Sequence, residues 1–122
     1  MDGLTKFAEG HKIDAAHLSG LGAAERVEIA YYNLTSKEYE RTTIAEDVEI
    51  VSLVGNIGRE KDGDIIVHLH GVFARRDLST FGGHIFSCVI SGAGELHVTA
   101  LSGELTRAYD QSTGLKLMCQ GA

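Results

Sequence analysis

At 122 residues, with 43% hydrophobic and 23% charged side chains, the chain can bury one core without staples and reads as a single domain over residues 1–122. Seventeen acidic against eleven basic residues leave a formal charge of -6, which opposes non-specific attraction to nucleic acid and anionic lipid. No run nears the roughly 20 apolar residues that span a bilayer, MDGLTKFAEGHK holds no apolar signal core, and Cys88 and Cys119 make no disulfide framework. A cytoplasmic protein with reduced thiols and no membrane partner is therefore expected.

The opening DGLTKFAEGHKI predicts one short helix, because Leu4, Phe7, Ala8 and His11 share a stripe, with Asp2 as N-cap and Gly10 at the stop. The small-residue passage AAHLSGLGAAE follows as a connection. Period-two alternation then begins in RVEIAYYN, where Val27, Ile29 and Tyr31 mark one buried face. KEYERTTI is polar on both faces and suits a sheet edge, whereas VEIVSLVGNI is nearly continuous in apolar residues and suits the centre. Asp62-Gly63 signals a hairpin turn. DIIVHLHGVF, GGHIFSCVI, ELHVTAL and ELTRAY continue as strands joined by ARRDLSTF, SGAG and SG. The short connections imply mostly antiparallel pairing. The expected fold is α+β: one N-terminal helix and a strongly bent, mostly antiparallel sheet of about seven strands.

The chemistry concentrates in VHLHGVFARRDLSTFGGHIF. His68 and His70 alternate along a strand, so their side chains leave the same face about 6.5–7 Å apart at Cα. The thirteen residues between His70 and His84 allow the chain to reverse and pair beside the first strand, with Gly82 and Gly83 permitting close approach. Three imidazoles can then converge on one ion at the ~2.0–2.1 Å that zinc requires, leaving a fourth position open. With no cysteine in the set, zinc shares the site with other divalent transition metals as candidates. Glu95, two residues before His97, is a candidate fourth ligand or proton carrier. His11 and His17 read as ordinary surface or capping residues. An HxH pair alone is more often a strand feature than a ligand pair; the third histidine at a glycine-marked return favours the metal.

The runs HKIDAAHLSGLGAAERVEIAYYN, KEYE, VEIVSLVGNI, VHLHGVF and GGHIF resemble the plants-and-prokaryotes-conserved (PPC) domain, across roughly Leu4 to Met118. VHLH with GGH is similar to its bacterial and archaeal branch. The resemblance implies a bent antiparallel sheet, assembly as a homotrimer, and a metal, usually zinc, at the positions of His68, His70 and His84. It also implies a fold-level likeness to acetolactate decarboxylase, which says little about activity. Relatives usually begin with a strand ahead of the helix. Here that strand is expected to be missing, leaving an edge open or covered by a neighbouring subunit. Plant relatives that bind DNA add a basic hook of the arginine-glycine-arginine-proline type, and no such stretch occurs here.

Three functions follow. The first is a trimeric metal site open to a small anionic ligand or substrate. As an enzyme it would be a lyase or hydrolase acting on a small oxo-acid, with Glu95 carrying the proton and Arg75 or Arg76 pairing with the carboxylate. The second is a DNA-binding or regulatory protein, which requires duplex binding that weakens as salt rises. The third is a structural trimeric assembly module with neither metal nor turnover.

Overall fold

The computed structural model describes residues 1–61 and 63–119. It contains one helix, α1 (Asp2–His11), and seven strands: β1 (Ala16–Asn33), β2 (Glu38–Ile44), β3 (Val48–Glu60), β4 (Ile65–Ala74), β5 (Thr80–Ala100), β6 (Thr106–Asp110) and β7 (Leu115–Met118). The helix, the strand number and the bent, mostly antiparallel sheet agree with the sequence reading; the one parallel contact joins β3 to β6. The helix ends differ slightly. Met1 occupies the N-cap, Asp2 is the first helical residue, and the chain passes Gly10 to stop at Lys12 in the left-handed conformation. Asp2 still helps, since a negative charge in the first turn faces the positive end of the helix dipole.

Two strands are longer than alternation alone suggests. β1 begins at Ala16, ten residues before Arg26, and absorbs the passage expected to be a connection. Its smallness has a structural use, because the first half of β1 is gripped on both sides, by β3 and by the far half of β5. Gly22 shows how tight this is: φ is 148°, and a Cβ there would lie 2.3 Å from the Ala93 carbonyl oxygen. Both registers of β1 shift at this glycine, so the strand bends and changes partners. β5 likewise fuses the two expected strands GGHIFSCVI and ELHVTAL into 21 residues, with SGAG as a bend inside it. β7 was not expected, so seven strands arise from a different division of the chain. Asp62 lies outside the described residues; the Gly63 N–H donates to the Glu60 carbonyl oxygen at 2.9 Å, closing the turn between β3 and β4.

The strand order is β2-β1-β5-β4-β3-β6-β7, and β1 also pairs with β3. Four strands, β1, β5, β4 and β3, therefore close into a ring, with β2 and the β6–β7 hairpin as extensions. KEYERTTI is an edge strand, as its polarity suggests, and VEIVSLVGNI is interior. The core cluster contains Leu18, Val27, Leu53, Ile57, Leu69, Phe73 and Ile85, joined by Ala8 of the helix. On β4, Leu69, Gly71 and Phe73 are buried and alternate with His68, His70 and Val72, which leave the opposite face. The core thus fixes which way the histidines point.

Candidate metal centre

His68 and His70 stand two apart on β4, and His84 on β5 is the direct cross-strand partner of His70. One ring nitrogen from each of the three lies within 4.8 Å of the others. Ring centroids are separated by 5.1 Å for His68–His70, 5.1 Å for His68–His84 and 5.4 Å for His70–His84. The glycine pair makes this meeting possible. A Cβ on Gly83 would sit 2.8 Å from the Ala30 carbonyl oxygen, where β5 runs against β1 as well as β4.

His68 and His84 are partly buried and His70 is exposed. Burial, then the Arg107 guanidinium and His70, holds the pKa of His68 well below its ordinary 6.5, at about 4. Burial, then His68 and His70, does the same to His84, again to about 4. Both rings are therefore neutral at pH 7, the form that coordinates a metal. Nδ1 of His84 is buried without a hydrogen-bond partner among the described residues. Three imidazole donors, one with a buried nitrogen unpartnered among the described residues, suit a divalent transition ion with a position to spare.

The surrounding cavity measures about 580 Å³. Tyr39 of β2 stacks on His84 at 4.8 Å, and apolar side chains of β4 and β7 form other walls. The charged residues in its lining, among the described residues, are Arg107 of β6 and Lys116 of β7, and the Lys116 ammonium is ion-paired with Glu60. Arg107 donates from Nη2 to Asn56 Oδ1 at 2.7 Å and to His68 Nδ1 at 3.0 Å, and from Nη1 to the Lys116 carbonyl oxygen at 3.0 Å. The site holds one guanidinium, bound among the described residues only to neutral acceptors, beside a partly apolar wall.

Other sequence candidates lie elsewhere. Glu95 pairs with Leu21 beyond the bend of β5, eleven residues from His84, and does not line the cavity. Arg75 is bound to Glu46 at 2.8 Å and packs over Phe81, so neither it nor Arg76 contributes to the lining. The His11 Nδ1–H donates to the Phe7 carbonyl oxygen within its own helix, in keeping with an ordinary surface role. The positive charge comes instead from Arg107, brought across by the parallel contact of β6 with β3. Nothing local in LTRAYD announces that docking.

The neutral imidazoles carry a pH dependence. Their folded pKa lies below the unfolded value, so between pH 6.5 and about 4 the unfolded chain binds more protons. Stability therefore falls as pH falls through that window. Metal-free protein should show a Tm that is level above neutrality and declines from pH 6.5 toward 4. A Tm unchanged down to pH 4 would contradict this picture of the site.

The profile of the Plants and Prokaryotes Conserved (PCC) domain matches residues 1–102. Among solved structures, a metal-containing protein of Archaeoglobus fulgidus is 37% identical at a TM-score of 0.89, the match covering 98% of this chain and 84% of that one. A "putative DNA binding protein" of Bacteroides thetaiotaomicron is 30% identical at a TM-score of 0.92, covering 97% and 82%. A plant- and prokaryote-conserved protein of Pyrococcus horikoshii is 25% identical at a TM-score of 0.91, covering 99% and 83%. Among curated proteins none matches.

Proposed function

The chain belongs to the Plants and Prokaryotes Conserved (PCC) domain family, and from that premise we propose that it is a metal-binding protein whose site accepts a small anionic ligand or substrate. The supporting observation is the convergence of His68, His70 and His84 within 4.8 Å inside a cavity lined by Arg107, which has no carboxylate partner among the described residues. Zinc is the first candidate ion, and the similarity to a metal-containing relative supports the reading. When bound, such an ion supplies Lewis acidity toward a carbonyl or hydroxyl oxygen. Arg107 attracts the anion, while Lys116 is ion-paired with Glu60; Tyr39 holds the His84 ring in place, and the apolar wall excludes water from one side. As catalysis, this set suits decarboxylation or hydrolysis of a small oxo-acid. Glu95 takes no part within a single chain.

The assembly we propose is a homotrimer, of mass near three times 13.1 kDa. Val54 and Val72, 53% and 42% exposed, flank exposed His70 on the outer face of the sheet, a surface suited to contact with a second subunit. The DNA-binding reading draws support only from the names of relatives. The net charge of -6 opposes it, and Arg107 lies inside a cavity rather than along a groove. A purely structural trimer leaves the histidine cluster without a purpose.

The test is a calorimetric zinc titration of tag-free, chelator-stripped protein. One zinc per chain is expected, and no binding would remove the proposal.

A further inference from the structure

Arg107 is the one buried charged residue among the described residues, at 6% exposure. Among the described residues it has no carboxylate partner: its acceptors are Asn56 Oδ1, the Lys116 carbonyl oxygen and His68 Nδ1, and its Nε–H has none. A buried guanidinium with no counter-charge is costly unless something else supplies the negative charge. Among the described residues, the lining of its cavity supplies none.

The bond to His68 carries a second consequence. A guanidinium nitrogen can only donate, so His68 Nδ1 must accept through its lone pair, and the ring proton sits on Nε2. A neutral imidazole has only one such lone pair. Coordination through Nδ1 would take the pair that Arg107 now holds. Coordination through Nε2 would send the ring proton to Nδ1, where it would face the guanidinium N–H. In either case ion binding at His68 and the Arg107–His68 hydrogen bond exclude each other.

We propose that Arg107 is a carboxylate-binding residue whose donors are released to the cavity when the three-imidazole site fills. The proposal rests on the metal reading above and adds a ligand class to it. Nε and Nη2 are adjacent on the side edge of the guanidinium. Freed from His68, they make a two-donor fork that matches the two oxygens of a carboxylate. Three neutral imidazoles around a divalent ion, with a buried guanidinium beside them, leave a net positive site that an anion neutralises. Arg107 is thus a competitor of the ion and a partner of the ligand.

That dual role separates it from a mere brace for the β6–β7 hairpin. Arg107→Gln and Arg107→Lys are compared with the unaltered full chain by calorimetry, with zinc and then with pyruvate on the zinc-loaded protein. Both variants should bind zinc more tightly, and Arg107→Gln should bind pyruvate roughly tenfold or more weakly, the scale of losing a charged hydrogen bond. A brace would give the opposite zinc result. Zinc affinity unchanged or weakened in a folded variant overturns the proposal while leaving the metal reading intact; failure of the unaltered chain to bind zinc removes both. Should both variants fail to fold, the side-chain ¹⁵N signals of the buried arginine decide it in the unaltered protein. They should shift when zinc is added, and unshifted signals in a zinc-loaded sample overturn the inference.

Discussion

Replacing His70 by alanine should lower zinc affinity by more than the roughly 10–100-fold that losing an outer partner of a ligand costs, because a ligand itself is removed. The fold should survive. His70 is exposed on β4 and faces away from the core, so its loss opens no cavity. It also makes no hydrogen bond among the described residues, so nothing buried is left unpaired. His68 is a poorer target, since its removal strips an acceptor from buried Arg107 and mixes stability with binding. Competition titration with a chromophoric chelator measures the affinity, and the melting curve of the metal-free variant checks the fold. A variant that keeps full affinity would show that the three rings do not act together.

The second large effect is expected at Gly55. A Cβ there would lie 1.9 Å from the His68 carbonyl oxygen and 2.9 Å from its carbon. These are backbone atoms, and β3 cannot retreat because β1 holds it on the other side: Gly55 is the partner of Leu18 there and of Leu69 on β4. Ordinary overpacking costs about 1–3 kcal/mol, and a clash between two ladder strands should exceed the upper end. For a domain of this size that corresponds to a loss of about 10 °C or more in Tm. Prising β3 from β4 also displaces His68, the residue whose carbonyl meets the new Cβ and whose ring is one of the three imidazoles. Gly55→Ala should therefore lose zinc affinity along with stability. A Tm within 2 °C of the parent would contradict the packing described here.

Much of the site could be read from local sequence because strands have period two. His68 and His70 share a face for that reason alone, and the glycine pair before His84 signals a close return. The long strands were less legible. Gly20, Gly22, Ala23 and Ala24 resemble a connection by composition, yet small residues are what a strand needs when neighbours press on both sides. SGAG likewise looks like a turn but only bends β5, because β1 follows it through the bend. Arg107 and Lys116 could not be anticipated. Their place at the site depends on β6 lying parallel to the end of β3, a contact between residues 47 positions apart for Arg59 and Thr106. Glu95 illustrates the converse. Its spacing to His97 looks chemical, but the bend in β5 carries it to Leu21 and away from the three imidazoles.

The proposed chemistry requires three imidazoles to share one cation. Diffraction data collected on either side of the zinc absorption edge, from crystals of tag-free protein titrated with one equivalent of zinc, test that directly. An anomalous peak should appear between the rings of His68, His70 and His84, within bonding distance of a nitrogen from each. A peak elsewhere on the chain, or zinc bound by only one of these rings, would contradict it.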